Sequence, residues 1–108
     1  MKTIPGFDPL IHAPARLQLV AILSGVDDME FATVRELLQV SDSVLSKQVA
    51  LLSEAGYVDL RKTAVMGRQR TWLSLTKHGQ NAYRRHVSAL RTLLDQSDPS
   101  SATTVVQA

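Results

Sequence analysis

The sequence contains no cysteine, so disulfide bridges and thiolate metal sites are excluded, and a reducing compartment suits its composition. It also lacks an apolar run of the roughly 20 residues that cross a bilayer, and its first residues do not match a signal peptide. Its 108 residues, of which 44% are hydrophobic, are enough for one modest core. We therefore expect a single cytoplasmic domain.

Acidic residues are missing from the stretch between Asp59 and Asp95, although the net charge of the whole chain is only +2. The cations of this stretch are Arg61, Lys62, Arg68, Arg70, Lys77, Arg84, Arg85 and Arg91. Such a concentration of one sign favours a polyanionic partner. The alternative is a solvated basic surface that has no partner.

Apolar spacing and capping residues predict three helices in the first half of the chain. The first helix carries two apolar stripes and ends near Ser24-Gly25, where glycine can adopt a left-handed conformation. Because residues 33–36 match a capping box, we expect the second helix to begin at Thr33, after a minimal strand, and to end near Val40. New capping residues follow at once, and the third helix is predicted over about 42–55.

The second half of the chain predicts a hairpin and a long helix. Alternating residues indicate strands at 57–61 and 71–75, joined by a long basic tip over 64–70. Thr76 caps a last helix that extends to about Gln96, because its apolar residues recur at intervals of three and four.

The order of these elements predicts the fold. A helix, a short strand, a helix, a tight turn, a helix, a hairpin and a helix follow one another, which is the winged helix-turn-helix arrangement. We therefore expect a mainly α domain with a small antiparallel β-hairpin (α+β) over residues 1–96. Small and polar residues predict a disordered C-terminal tail over 97–108.

In this arrangement the third helix presents small and polar side chains to the major groove of DNA. Lys47 and Gln48 can reach base edges there, and free N–H groups at helix starts can bind phosphate. The wing, residues 61–71, combines Gly67 with Arg68 and Arg70, which suit a minor groove or phosphates. The predicted DNA-binding residues are Thr33, Ser41, Ser43, Ser46, Lys47, Gln48, Arg61, Lys62, Arg68, Gln69 and Arg70.

Two segments of the sequence resemble a known family. The runs LSKQVALLSEAGYV over 45–58 and LSLTKHG over 73–79 are similar to winged-helix transcriptional regulators of the MarR/ArsR type, and more narrowly to a compact single-domain subgroup. The resemblance covers about residues 12–95. It implies a homodimer that regulates transcription by binding double-stranded DNA in a sequence-specific manner, with two recognition helices in successive major grooves roughly 34 Å apart.

Surplus apolar residues agree with a dimer independently of the resemblance. The last helix and the N-terminal segment carry more of them than one small core can cover. In the alternative arrangement, the last helix folds back over its own core. The predicted interface residues are Ile4, Phe7, Leu10, Ile11, Tyr83, Val87, Leu90, Leu93 and Leu94.

The sequence also departs from the family. Arsenic-repressor relatives carry cysteines where this chain has EFATVR over 30–35, so metal sensing by that route is absent. Wings of the MarR type pair an aspartate with an arginine, whereas residues 63–70 contain no acid, which leaves the geometry of the wing open. His12, His78 and His86 lack ligand spacing, although His12 and His86 could approach across a helix contact. We predict no metal and no cofactor.

Other functions receive less support. The chain offers no nucleophile with its base, no nucleotide-cradling glycine loop and no paired carboxylates, so we predict that it is not an enzyme. The serious alternative is a winged helix used for protein interaction or dimerisation without DNA binding, in which the polar residues of the third helix are only caps and surface groups. The crevice between the dimer helices and the DNA-binding lobe could hold a small apolar effector of unknown identity.

Overall fold

The computed structural model describes residues 4–97, and its element order confirms the predicted winged helix-turn-helix. The elements are α1 (Pro9–His12), α2 (Pro14–Ser24), β1 (Met29–Glu30), α3 (Phe31–Leu38), α4 (Asp42–Glu54), β2 (Val58–Val65), β3 (Arg68–Leu75) and α5 (Lys77–Ser97). The disordered tail was predicted to begin at Ser97, but Ser97 is the last residue of α5. The rest of the predicted tail, residues 98–108, lies outside the described residues.

The three strands form one antiparallel sheet in the order β1-β3-β2. In β1, Met29 pairs with Leu73 and Glu30 pairs with Trp72. Strands β2 and β3 pair without interruption from Val58 opposite Leu75 to the tip of the hairpin. The sheet is thus a long hairpin with a two-residue strand added at the edge of β3.

The hairpin corrects the prediction of a long tip. Both strands have eight residues, so only Met66 and Gly67 lie outside the ladder. Their φ angles are 52° and 78°, and a positive φ at both positions is what a two-residue type I′ turn requires. The predicted loop over 64–70 is wrong, because the two strands stay paired up to Val65 opposite Arg68. The side chains there are exposed, so their sequence lacks the alternation that marked the buried parts of the strands.

The hydrophobic core lies between α2, α3, α4 and the sheet. Each fully buried aliphatic side chain contributes about 1.5–3 kcal/mol relative to an exposed one. The buried members of this cluster are Leu19, Val20, Leu23, Val34, Leu45, Val49, Leu52, Val58 and Leu73. Among the helices of residues 4–97, none has the length and hydropathy needed to span a membrane.

The predicted start of α3 and the predicted backbone conformation of Gly25 are wrong, although α2 ends at Ser24 as expected. Helix α3 begins at Phe31, and its N-cap Glu30 makes no side-chain capping bond, so Thr33 lies inside the first turn and no capping box forms. The pairing of β1 fixes the chain up to Glu30, and the helix starts directly from the strand. At the end of α2, Gly25 has a φ of −95°, which is right-handed and not the predicted left-handed conformation.

The predicted caps of α4 and α5 are confirmed. The Ser41 hydroxyl accepts a hydrogen bond from the backbone N–H of Val44 at 3.2 Å. The Thr76 hydroxyl accepts from the N–H of Gly79 at 2.9 Å and donates to the carbonyl of Gly56 at 2.6 Å. Thr76 therefore starts α5 and also ties it to the end of α4.

The N-terminal segment is held against α5 by Asp8 and two histidines. The N–H of Asp8 donates to Nδ1 of the fully buried His86 at 2.9 Å. The Asp8 carboxylate caps α1 through the N–H of Leu10 and accepts a hydrogen bond from the Tyr57 hydroxyl. Nδ1 of His12 lies 3.3 Å from Nε2 of His86, so the expected approach of these two histidines is observed.

These contacts determine the protonation states. Because Nδ1 of His86 accepts from a backbone N–H, His86 is neutral and its proton is on Nε2, toward His12. Burial, and then the nearby charge of His12, lower the pKa of His86. Burial and the hydrogen bond to Asp8 raise the pKa of Tyr57 to about 12. Within residues 4–97, no group of three or more His, Asp or Glu side chains is arranged to hold a metal ion.

Replacing Gly79 tests the close packing of α5 on the end of α4. A Cβ at this position would lie 2.2 Å from the carbonyl oxygen of Tyr57, so the backbone would have to shift. We expect Gly79→Ala to lower the free energy of unfolding by about 1–3 kcal/mol, measured by chemical denaturation. The control is Gly25→Ala, where the nearest atom is 3.8 Å away and the conformation suits alanine. A loss at Gly25 equal to that at Gly79 would contradict the packing argument.

The buried histidine predicts a pH dependence of stability. Between the lowered pKa of folded His86 and about 6.5 in the unfolded chain, only the unfolded chain takes up the proton. The stability that neutral His86 contributes is therefore fully present above about pH 6.5, and it should be lost as the pH falls from there through the lowered pKa of folded His86. Denaturation at several pH values should show a shallower loss for His86→Asn than for wild type. Exposed His78→Asn is the matched control, and an unchanged slope in His86→Asn would refute the prediction.

Candidate nucleic-acid interface

The exposed face of α4 is built from small and polar side chains. Leu45, Val49 and Leu52 turn inward and are buried. The side chains of Ser43, Ser46, Lys47 and Ala50 remain exposed on the outer face. A helix with such short side chains can approach the edges of base pairs closely.

Gln48 is placed differently from the sequence prediction. It is half-buried, and its Oε1 accepts a hydrogen bond from Nη1 of Arg16 at 2.9 Å. Arg16 also donates through Nε to the carbonyl of Leu10. Gln48 therefore links α4 to α2 and α1, and it would have to give up this bond in order to read a base.

An ion pair at the start of α4 was not predicted from the sequence. Nη1 of Arg35 on α3 lies 2.6 Å from Oδ1 of Asp42, the first residue of α4. This hydrogen bond and the negative charge of Asp42 raise the pKa of Arg35. The pair fixes α3 against α4, and Asp42 places a carboxylate where the sequence predicted a phosphate beside Ser41. Arg35 and Asp42 are seven residues apart and lie in different helices, so no local sequence pattern predicts their contact.

Thr33 does not lie at the start of a helix, as the prediction of a phosphate contact there assumed. Thr33 is exposed, but it lies within the first turn of α3 instead of at its N-cap. Its hydroxyl is therefore not at the free N–H groups that begin the helix. A contact of Thr33 with DNA stays a prediction based on exposure alone.

The wing is braced by carboxylates that precede it in the chain. Nη2 of Arg61 lies 3.1 Å from Oδ2 of Asp28, and Nη1 of Arg70 lies 3.8 Å from Oε2 of Glu30. The Arg61 guanidinium also lies 5.9 Å from the ring centroid of Trp72. The acidic partner that is missing from 63–70 is thus supplied to Arg70 by Glu30 of β1, while Asp28 of the preceding loop holds Arg61. The wing is a regular, clamped hairpin.

A groove of about 710 Å³ lies between α4 and the hairpin. Phe31, Val49 and Leu60 provide apolar lining, and Ser46 from α4 and Lys62 from β2 also border it. The recognition helix and the wing therefore open onto the same side of the molecule. Arg68, Gln69 and Arg70 are exposed along the outer strand of the wing.

The N-terminal part of the predicted dimer interface is largely covered within the chain. Ile11 is fully buried in its own protomer, so its assignment to the interface is wrong. Leu10 and Tyr83 pack against the hydrophobic core. The Phe7 ring contacts both His12 and His86, at centroid distances of 4.8 and 4.9 Å. Ile4 is half-buried as well.

The second half of α5 retains an apolar face. The side chain of Leu94 is 63% exposed, while Val87 and Leu90 are half-buried. A shallow depression of about 470 Å³ borders this face and is lined by Tyr83, Arg84, Val87, Ser88 and Arg91. Dimer contacts made by the predicted residues would therefore be concentrated on α5.

Comparison with known proteins places this geometry in a family. The uncharacterized protein MJ0432 of Methanocaldococcus jannaschii is 27% identical over 78 residues, which cover 72% of this chain and 85% of that protein. The transcriptional regulator homologue protein from Pyrococcus horikoshii OT3 superposes with a TM-score of 0.77 at 24% identity, covering 82% of this chain and 88% of that one. A MarR family transcriptional regulator from Silicibacter pomeroyi gives 0.60 at 24% identity, covering 91% and 68%.

Because the sequence identities are low, the structural similarities show a shared fold and no more. The family model described as the winged helix DNA-binding domain matches residues 15–94. This match contains α2, the helix-turn-helix, the hairpin and most of α5. The chain therefore belongs to the winged helix DNA-binding domain family.

Proposed function

We propose that the protein is a sequence-specific double-stranded DNA-binding transcriptional regulator that acts as a homodimer in the cytoplasm. In this proposal α4 occupies the major groove, and the wing contacts the adjacent minor groove or the phosphates. One observation carries the proposal: the lightly substituted face of α4 and the cationic wing border the same groove. An enzymatic role is not part of it.

Close approach of α4 to the bases depends on its short side chains. Ser43, Ser46 and Ala50 expose at most one hydroxyl each, so the helix axis can come near the floor of the major groove. Lys47 projects from the same exposed face and is long enough to reach a guanine edge or a phosphate. This combination of small, polar and basic side chains favours DNA. An acidic or apolar face on α4 would instead favour a protein partner.

Three cations near the groove are available for phosphates. None of the ion pairs within residues 4–97 includes Lys47, Lys62 or Arg68, whereas Arg35, Arg61 and Arg70 each face a carboxylate. Each phosphate that a free cation neutralises releases bound counterions, which makes the affinity depend on salt. The free cations therefore account for most of the expected salt dependence.

The homodimer is supported by the apolar face of α5. This helix has 21 residues, about 31 Å at the usual rise per residue, and its exposed Leu94 lies beyond the hydrophobic core. Pairing of two such faces would bury Val87, Leu90 and Leu94 and hold two copies of α4 at half-sites roughly 34 Å apart. The small effector in the crevice between α5 and the DNA-binding lobe stays a prediction.

Removing two free cations from the wing tests the DNA contact. For Lys62→Ala/Arg68→Ala we expect weaker binding to a duplex of about 30 bp and a salt slope that is shallower by about 3.6, or 0.9 for each of the four phosphate contacts that a bound dimer would lose. Fluorescence anisotropy over a series of salt concentrations measures both quantities. Lys77→Ala is the control for the loss of a cation away from the wing tip, because Lys77 is the first residue of α5 and follows the end of β3 that is opposite the tip. If the double variant keeps the wild-type affinity and slope, the wing does not bind phosphates.

Charge on the apolar face of α5 tests the dimer. Leu90→Glu/Leu94→Glu would place two carboxylates in an apolar interface, which is costly, so we expect a monomer with weak DNA binding. Sedimentation equilibrium gives the mass of each species. Thr92→Glu/Gln96→Glu adds the same charges with the same spacing at exposed positions and should remain dimeric. A wild-type monomer, or a double leucine variant that is still a dimer, would rule out this interface.

A further inference from the structure

The turn of the hairpin holds an apolar side chain away from the rest of the protein. Met66 is 96% exposed, and Val65 beside it is 55% exposed. No atom lies within 4 Å of the position that a Cβ on Gly67 would occupy, so the turn stands in open space. Contacts within the described part of the chain therefore give no reason for methionine at this position.

Methionine is an unfavourable residue for this turn. The first position of a type I′ turn favours asparagine, aspartate or glycine, because these residues tolerate positive φ. Met66 adopts a φ of 52° and exposes nearly its whole side chain to water. The positive φ lowers stability, and the exposed side chain gains none from burial, so a local cost without an internal gain points to a role in binding.

The surroundings of Met66 indicate the partner. Arg68 faces Val65 across the ladder, and Lys62 and Arg70 follow along the same hairpin. No acidic residue lies between Asp59 and Asp95, so an apolar tip projects from a cationic stem. Proteins that enter the DNA minor groove combine arginine or lysine with inserted apolar side chains, methionine among them.

The stem of the hairpin is stiff enough to direct this tip. Asp28 holds Arg61 and Glu30 holds Arg70, while Nε1 of Trp72 donates to Oγ1 of Thr63 at 3.2 Å. From Thr63 to Met66 the strand advances three residues, about 10 Å, beyond these contacts. The tip is therefore presented at a fixed distance from α4.

We propose that Met66 enters the DNA minor groove and that its side chain reads the floor of that groove, with Arg68 on a flanking phosphate. The proposal rests on the proposed function and adds a residue that selects the sequence at the wing. The exocyclic amino group of guanine projects into the minor groove and would meet the methionine side chain. Base pairs without this amino group should therefore be preferred under the wing.

A protein partner fits these observations less well. Val65 and Met66 together offer much less apolar area than the roughly 800 Å² per partner of a stable protein interface. Near the tip along the hairpin, Arg68 and Lys62 are cations that no ion pair within residues 4–97 includes, which suits a polyanion.

Two synthetic duplexes isolate the minor-groove contact. Alternating dI-dC and dG-dC duplexes of about 30 bp present the same major-groove acceptors, and they differ by the guanine amino group in the minor groove. We expect the full-length wild-type protein to bind the dI-dC duplex about tenfold more tightly, because the guanine amino group would obstruct the methionine side chain in the dG-dC duplex. Fluorescence anisotropy at a fixed salt concentration measures the ratio of the two Kd values.

The variant Met66→Asn keeps the turn and removes the apolar side chain. Asparagine is favoured at positive φ, so the Tm should be unchanged or higher. The preference for dI-dC should fall to about twofold or less, while Met66→Leu should retain it. Comparing variants on the same two duplexes removes any preference that comes from DNA shape or from α4.

The outcomes separate this inference from the proposed function. If wild type binds neither duplex, DNA binding itself is wrong. If wild type binds with a salt-dependent affinity but Met66→Asn shows the same preference for dI-dC, the role of Met66 is overturned and the regulator proposal stands. A change in the sedimenting mass of Met66→Asn without a change in preference would assign the tip to a protein contact and would also overturn the inference.

Discussion

The pairing of β1 with β3 is the constraint on which the candidate DNA-binding surface depends. Only two residues pair, but they join the loop after α2 to the strand that carries half of the wing. The same pairing places Asp28 and Glu30 beside Arg61 and Arg70. Because α3 starts directly after Glu30, the orientation of the helix-turn-helix is set by the edge of the sheet. One short strand thus fixes the recognition helix and the wing relative to each other.

The hydrogen bonds of Asp8 hold the N-terminal segment within its own protomer, so this segment is not needed to cover a second copy. Asp8 joins α1, α5 and the end of α4 through its N–H and both carboxylate oxygens, and His86 is buried without an unsatisfied nitrogen. The N-terminal segment consequently buries its apolar residues against its own α5. This leaves the face that contains Leu90 and Leu94 for a second copy in the proposed dimer. A buried polar cluster of this kind fixes one arrangement of the segment, since any other would leave polar groups unpaired.

Features encoded by neighbouring residues could be predicted from the sequence, and features set by distant contacts could not. Ser41 and Thr76 cap their helices through N–H groups three residues away, and the periodicity of α5 is local. The capping box at Thr33 failed because pairing with β3, more than 40 residues later in sequence, starts α3 earlier. The sequence predicted that Gln48 reads bases, because nothing local indicates its hydrogen bond with Arg16, which is 32 residues away. That the exposed residues of α4 and the wing contact DNA stays a prediction, and the pairing state of each side chain required the structure.

The ion pairs around the groove bear on how the proposed regulator would discriminate among sequences. Carboxylates that hold Arg35, Arg61 and Arg70 reduce the net attraction to any phosphate backbone, which is the part of affinity that carries no sequence information. They also keep these long side chains oriented before DNA arrives, so less entropy is lost on binding. Specificity is a difference between affinities, and it grows when the sequence-independent part is small. In the proposed regulator, a chain with a net charge of only +2 would therefore depend on contacts with base edges, made by the exposed face of α4 and by the tip of the wing.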